Sequence, residues 1–212
     1  MKIFFSPFSP FVRKCLVVAH ELGLGERIQL LSSNVNPIDR DQVVIVRNPL
    51  GKVPTFIADD GQVLYDSRVI CEFLNMQGNG ELFPPAGAAR WSALTLQSLG
   101  DGILEAAVLA RYEEALRPAE LRWGDWRAGQ LDKIETSLAH LDTHPQELPI
   151  DNVNIGNLTI ACALWYLDLR FPDLGWRDRH SAVAQWYAVF SERASLQKTW
   201  SLAEDMAAKV GN

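Results

Sequence analysis

The sequence predicts an α/β fold for the first part of the chain and an all-helical fold for the rest. Short apolar runs alternate with helical ones up to about residue 80, and helical periodicity dominates after a stretch rich in Gly and Pro. The composition changes at the same place, because all seven Trp residues lie at or beyond Trp91. We therefore predict two domains, 1–80 and 89–212, joined by a linker at 81–88.

The predicted elements of the first domain follow the order βαβαββα. Strands are expected at 2–5, 28–31, 55–58 and 63–65, and helices at 10–22, around 41–46 and at 68–77. Asp59-Asp60-Gly61 supplies the turn between the last two strands. The first helix has an apolar face that includes Cys15 and Leu16, whereas its other side is expected to carry Arg13, Lys14 and His20.

The second domain is predicted to contain four helices. They are expected at 89–116, interrupted by Gly100 and Gly102, and at 120–141, 154–171 and 181–193. The third of these is apolar on every side, which places it at the centre of the domain. Asn154 and Asn157 stand where a helix-capping pair is expected at its start, with an amide in place of the more usual carboxylate.

Composition and charge limit the classes of function. The net charge is −6, and residues 1–80 are neutral, so the acidic excess belongs to the second domain. Nucleic acid and anionic membranes are therefore not expected as partners. No secretory segment is recognised, and three widely spaced Cys residues form neither a disulfide framework nor a metal cluster. We expect a cytoplasmic protein with reduced, buried thiols and no metal.

Three short segments carry residues suited to chemistry. Ser9 precedes Pro10 at the start of the first helix, where it could either cap the helix or present its hydroxyl to an anion. Val53 precedes Pro54 at a strand entry, and its backbone could pair with an extended ligand. Asp66 and Ser67 open the third helix, either as caps or as a site for an amino-acid head group.

Together these segments resemble the cytosolic glutathione transferases. The matching motifs are Ser-Pro-Phe-Val-Arg-Lys from Ser9, Asn-Pro-Leu-Gly-Lys-Val-Pro ending at Pro54, and Asp-Ser-Arg-Val-Ile from Asp66. The segment Ala163–Pro172 is similar to one found in a bacterial subgroup that has serine at the catalytic position. The resemblance covers nearly the whole chain and implies a thioredoxin-like first domain, an all-helical second domain and a homodimer.

The resemblance also implies a role for each residue of these motifs. Ser9 would be catalytic and would hydrogen-bond the sulfur of glutathione. The glutathione-binding residues would be Phe11, Lys52, Val53, Pro54, Asp66 and Ser67. Within this set, Lys52 would face the glycine carboxylate, Pro54 would be the family's cis-proline, and Asp66 with Ser67 would hold the γ-glutamyl end. Asp101 could reach this end across a dimer interface, although an exposed helix charge is the expected alternative.

The leading interpretation is an enzyme that joins the glutathione thiolate to an apolar electrophile. The electrophile is expected between the domains, near Ile103, Ala107 and Ala110. The alternatives are a glutathione-dependent thiol reductase or peroxidase, or a non-catalytic binding protein with the same fold. A reductase would normally carry Cys in place of Ser9, and Cys15 is expected to be a core residue instead.

Overall fold

The computed structural model describes residues 1–200, which form two compact units. The first unit contains Met1–Phe83 together with residues 193–200, and the second contains Pro84–Glu192. Residues 193–200 were expected to belong to the helical domain, but they cluster with the first unit instead. The end of the predicted second domain, 201–212, lies outside the described residues.

The first unit is built on a four-stranded mixed sheet with the strand order β2-β1-β3-β4. Its strands are β1 (Lys2–Phe5), β2 (Gln29–Ser32), β3 (Thr55–Ile57) and β4 (Val63–Leu64). Its helices before residue 84 are α1 (Pro10–Glu21), α2 (Gln42–Ile45) and α3 (Ser67–Gln77). Strand β1 runs parallel to β2 and antiparallel to β3, which is antiparallel to β4. The predicted order βαβαββα is therefore confirmed.

Helix α1 is buried on more sides than its sequence pattern predicts. Its apolar positions lie in the core as expected, and the Cys15 and Cys71 sulfurs are 3.9 Å apart between α1 and α3. However, Arg13 and Lys14 are also buried, with 4% and 0% of their surface exposed. The prediction that they form a solvent-facing side was wrong, and for Arg13 the chain end supplies the reason.

Residues 193–200, which we call the C-terminal strap, pack on α1 in the first unit. The guanidinium of Arg193 donates two hydrogen bonds to the Glu21 carboxylate, at 2.9 and 2.7 Å, and Arg13 donates to the Leu196 carbonyl at 2.9 Å. Burial favours the neutral form of Glu21, but hydrogen bonds from Arg193 and Ser195 outweigh it and hold the pKa of Glu21 below its usual value. The strap therefore gives a charged residue of α1 a partner that local sequence does not reveal.

The second unit is all-helical, as predicted. Its helices are α4 (Gly87–Ala115), α5 (Gly124–Thr143), α6 (Ile155–Arg170), α7 (Trp176–Arg179) and α8 (Ser181–Phe190). Every residue of α6 from Ile155 to Leu167 is buried, which confirms its central place. Its start has both halves of a capping box: Asn154 accepts from the Gly156 and Asn157 backbones, and Asn157 accepts from the Asn154 backbone. Two amides thus cap this helix.

Helix α4 is continuous, so the predicted interruption at Gly100 and Gly102 was wrong. Gly100 has a packing role instead: a Cβ added there would lie 2.8 Å from Thr159 Cγ2 and 3.1 Å from the Ile160 backbone nitrogen. Gly156 on α6 is equally close to Ala93 and Leu96. These glycines allow α4 and α6 to approach closely. Although α4 is long and apolar enough to span a membrane, more than half of its most apolar stretch is buried, as in a core helix.

Candidate functional site

The three predicted motifs meet at one edge of the sheet in the first unit. Phe4 at the end of β1 pairs with Thr55 at the start of β3, and Phe56 pairs with Leu64 at the end of β4. Because antiparallel neighbours run in opposite directions, the end of β1, the start of β3 and the end of β4 all lie at the same edge. The loop leading to Ser9, the Val53–Pro54 segment and the Asp66 helix start therefore emerge side by side.

Ser9 occupies the N-cap position of α1. Its backbone is extended, with φ −82° and ψ 115°, and its Oγ accepts a hydrogen bond from the Val12 backbone N–H at 3.3 Å. Ser9 therefore caps the helix, which is the first of its two predicted roles. The cap leaves the second role open, because a hydroxyl that accepts a hydrogen bond from the backbone keeps its own proton for donation to an anion. The half-buried Ser9 also has the positive end of the helix dipole beside it.

A pocket lies next to Ser9. It is lined by Ser9, Phe5, Ser6, Pro7, Arg13, Leu16 and Thr199. Thr199 belongs to the C-terminal strap, and its hydroxyl donates to the carbonyls of Ser195 and Leu196. One wall of the pocket therefore comes from the far end of the chain.

The loop before β3 is organised by Asn48, which is 1% exposed. Its amide nitrogen donates to the Lys52 carbonyl at 3.2 Å and to the Thr55 hydroxyl oxygen at 2.9 Å, and its amide oxygen accepts from the Leu50 backbone at 3.0 Å. The Val53–Pro54 peptide bond is cis. Asn48 therefore fixes the loop on both sides of the predicted ligand-pairing residue. Sequence reasoning used Asn48 only as part of the motif and missed this role.

Replacing Asn48 with alanine is expected to destabilise the protein by about 2 kcal/mol. The change removes three hydrogen bonds made by a buried side chain, although the Lys52 carbonyl keeps the Thr55 hydroxyl as a donor. It should also weaken binding at this edge, because the loop loses its fixed form. Urea unfolding monitored by circular dichroism measures the first effect.

The matched control is Asn152→Ala, at an exposed position of the second unit, which should change stability by less than about 0.5 kcal/mol. Equal stability of the two variants would contradict the structural role assigned to Asn48.

At the start of α3, Asp66 is exposed and acts as the N-cap. Its carboxylate accepts from the Arg68 backbone at 2.9 Å, and the Tyr65–Asp66 peptide bond is cis. Ser67 follows as the first helical residue and is only 3% exposed. The Cys15 thiol lies 3.9 Å from the Ser67 carbonyl oxygen, which ties this helix start to α1.

The other predicted residues lie in different environments. Lys52 is exposed, and Phe11 on the first turn of α1 is half-buried with the Lys14 ammonium 5.9 Å from its ring centre. Cys15 is buried in the core, as expected for a structural thiol. Among residues 1–200, no cluster of three or more His, Cys, Asp and Glu side chains is placed to hold a metal ion.

Several expectations about α4 in the second unit were wrong. Asp101 is 1% exposed and is not a surface charge. Ile103, Ala107 and Ala110 are also buried, so they form core and not an open apolar wall. Their burial follows from the packing of α4 against α6, whose whole circumference is covered.

The fold and this arrangement of motifs are those of a glutathione S-transferase. Family models for the N-terminal and C-terminal domains of glutathione S-transferases match residues 8–77 and 124–188. The chain belongs to the glutathione S-transferase family.

Individual relatives agree with this assignment. The chain is 33% identical to the "Uncharacterized GST-like protein YibF" of Escherichia coli strain K12 over 179 residues, which is 83% of this chain and 86% of that protein. A glutathione transferase family member from Pseudomonas fluorescens Pf-5, solved with bound glutathione, is 46% identical with a TM-score of 0.90, covering 93% of this chain and 97% of that one. A second structure from Pseudomonas fluorescens Pf-5 contains S-(propanoic acid)-glutathione and has 46% identity and a TM-score of 0.86, with 94% and 98% covered.

Proposed function

We propose that the protein is a glutathione transferase that transfers the glutathione thiolate to electrophilic small molecules. The observation that carries this proposal is the convergence of Ser9, Val53 and Asp66 at one edge of the sheet, with Ser9 at a helix N-terminus. The presence of glutathione in a relative that is 46% identical supports the same ligand here.

Each motif residue meets one part of the tripeptide in this proposal. The Ser9 hydroxyl donates to the sulfur, the Val53 backbone pairs with the cysteinyl unit beside Pro54, and Lys52 faces the glycine carboxylate. Asp66 binds the γ-glutamyl ammonium, while Ser67 and the start of α3 face its carboxylate. Phe11 contributes apolar contact beside Ser9.

The chemical task of Ser9 is to favour the thiolate. A free thiol with a pKa near 8.5 is only a few per cent ionised at pH 7, and each unit of depression corresponds to about 1.4 kcal/mol. A hydrogen bond to a charged group contributes about 1.5–3 kcal/mol, and a helix N-terminus adds roughly 0.3–1 kcal/mol. Together these can lower the thiol pKa by one or two units. The thiolate then forms the C–S bond, and the electrophile releases its leaving group or takes up a proton.

The experiment that tests this proposal measures two reactions with one protein preparation. Conjugation of glutathione to chlorodinitrobenzene should be enzyme-dependent, whereas glutathione-dependent reduction of a small disulfide should be slow, because Ser9 cannot form a mixed disulfide. Faster disulfide or peroxide reduction than conjugation would favour a reductase or peroxidase. Failure to bind immobilised glutathione would favour a non-catalytic protein of the same fold.

The proposal includes a homodimer in the cytoplasm. Large apolar side chains are exposed in both units, among them Val46 at 80%, Trp91 at 67% and Trp123 at 63%. Two-fold dimers are the commonest soluble oligomers, and a dimer interface could cover some of these side chains. Light scattering of the purified protein measures the mass directly, and a value near 24 kDa in place of about twice that would exclude the dimer.

A further inference from the structure

We propose that Thr199 of the C-terminal strap determines which electrophiles the protein prefers, because it limits the space in the pocket beside Ser9. This inference rests on the proposed transferase function and narrows its preferred substrates to electrophiles with a small substituent on the attacked carbon. The pocket has a volume of about 10 Å³, which is room for a group of the size of one water molecule. All the residues that line it belong to the first unit.

The pocket lies next to the place where the electrophile meets the sulfur. Ser9 lines the pocket, and in the proposed function its hydroxyl donates to the glutathione sulfur. The attacked carbon becomes bonded to that sulfur. A substituent on this carbon is therefore held close to the residues that line the pocket, Thr199 among them.

A chain of hydrogen bonds joins Ser9 to Thr199. The Arg13 backbone N–H donates to the Ser9 carbonyl at 3.0 Å, and the Arg13 guanidinium donates to the Leu196 carbonyl at 2.9 Å. The same Leu196 carbonyl accepts from the Thr199 hydroxyl at 3.0 Å. The position of Thr199 relative to Ser9 is therefore fixed through direct contacts within the first unit.

The strap is packed as firmly as a core element. Ser195, Leu196 and Thr199 are each no more than 5% exposed. At the start of the strap, the Arg193 guanidinium donates two hydrogen bonds to the Glu21 carboxylate, at 2.9 and 2.7 Å. A pair with two parallel bonds fixes orientation as well as distance. The strap therefore forms a fixed wall of the pocket, and Arg193 is a positioning residue for this wall.

Thr199 contributes bulk to the pocket and not a hydrogen-bond donor. A threonine hydroxyl has a single proton, and in Thr199 it is directed to the carbonyls of Ser195 and Leu196, both at 3.0 Å. Thr199→Val keeps the volume of the side chain and loses the hydroxyl. Thr199→Ala removes every atom beyond Cβ and enlarges the pocket. The two variants therefore separate size from hydrogen bonding.

The test compares crotonaldehyde with its β-propyl homologue, which carry a methyl and a propyl group on the attacked carbon. In both reactions the thiolate forms a C–S bond at this carbon, the electrons of the carbon–carbon double bond move toward the carbonyl, and the α-carbon takes up a proton. After division by the uncatalysed rates, the wild-type protein should favour crotonaldehyde in kcat/KM by about tenfold or more, because a surplus methylene in a confined pocket has an effect of at least this size.

The variants should change this preference in a defined order. Thr199→Ala should reduce it about tenfold by raising kcat/KM for the propyl substrate, and it should also accelerate conjugation of chlorodinitrobenzene, whose attacked carbon lies in a ring. Thr199→Val should keep the wild-type preference. Arg193→Gln should weaken the preference because the wall is no longer held, and Arg193→Lys should restore part of it. Loss of stability alone would lower both rates together and leave their ratio unchanged.

Thr136→Ala is the matched control. The Thr136 hydroxyl donates to the carbonyls three and four residues earlier in α5, as that of Thr199 does in the strap, but Thr136 is exposed in the other unit. This variant should leave the preference unchanged.

Titration of S-methylglutathione and S-butylglutathione gives a readout that needs no turnover. Thr199→Ala should bind the butyl compound more tightly relative to the methyl compound than the wild type does. An unchanged ratio in Thr199→Ala, whether of kcat/KM or of dissociation constants, would overturn the role of Thr199, as would equal kcat/KM for both aldehydes in the wild type. Absence of conjugation with either aldehyde would instead argue against the transferase function, and the titration would still decide the role of Thr199.

Discussion

Replacement of Ser9 with alanine is expected to lower conjugation turnover by about one to three orders of magnitude, with little change in glutathione affinity. This size is typical for the loss of one hydrogen-bond donor to a bound or developing anion. Most contacts with the tripeptide come from other residues, so the dissociation constant should move much less than kcat. Steady-state kinetics together with a glutathione titration separate the two effects.

The same substitution removes a helix cap, so a control must separate stability from chemistry. The Ser9 Oγ accepts from the Val12 backbone, and loss of such a cap costs about 1 kcal/mol, whereas glycine at this position costs only a few tenths. Ser9→Gly should therefore be as slow as Ser9→Ala while remaining more stable, and Ser9→Thr should keep substantial activity.

The pH dependence provides an independent readout. Without the hydroxyl donor the thiol pKa of bound glutathione should rise, so the ascending limb of kcat/KM should move to higher pH in both Ser9→Ala and Ser9→Gly. An unchanged pH profile together with unchanged turnover would show that Ser9 is only a helix cap.

Replacement of Gly100 with valine is expected to destabilise the protein by about 3 kcal/mol. A single added Cβ already lies 2.8 Å from Thr159 Cγ2 and 3.1 Å from backbone atoms of Thr159 and Ile160, and backbone cannot move aside as a flexible side chain can. Overpacking of this kind costs about 1–3 kcal/mol, and valine adds two further methyl groups at the contact. For a chain of this length, the melting temperature should fall by roughly 6–12 °C.

Helix α4 contains its own matched control two residues away. A Cβ added at Gly102 meets nothing within 4 Å, and the position is exposed. Gly102→Ala should therefore stabilise the protein by about 0.5–1 kcal/mol, because alanine is the better helix former. Gly100→Ala, the same change in the same helix, should destabilise it. Stabilisation by both alanine variants would contradict the close packing of α4 on α6.

Local patterns were sufficient for the elements of the first unit. The alternation of strands and helices, the turn at Asp59-Asp60-Gly61 and the caps at Ser9 and Asp66 depend on neighbours in sequence, and each appears in the structure. The four-residue helix α7 was missed, since one turn leaves no periodicity to detect.

Predictions failed where distant segments determine the environment. Arg13 and Lys14 have the pattern of an exposed face, and only a segment about 180 residues later explains the burial of Arg13. From the sequence alone Gly100 was predicted to interrupt the helix, because its packing role depends on its contact with α6. Trp91 and Trp123 are more than 60% exposed, whereas Trp165 and Trp176 are 2% exposed. Composition therefore shows which domain is rich in Trp, but it does not show which of these Trp residues are buried.

Because of the C-terminal strap, the first unit can be completed only after the helical unit has been synthesised. Glu21 is translated early, but its partner Arg193 follows 172 residues later, after the entire helical unit. While the ribosome is making the helical unit, the nascent first unit holds the Glu21 carboxylate without Arg193 and the pocket beside Ser9 without Thr199. A fragment that ends near Phe83 would lack the C-terminal strap, and with it Arg193 and Thr199. Residues 1–83 and 193–200 therefore form one structural unit, and the helical unit is inserted between these two segments.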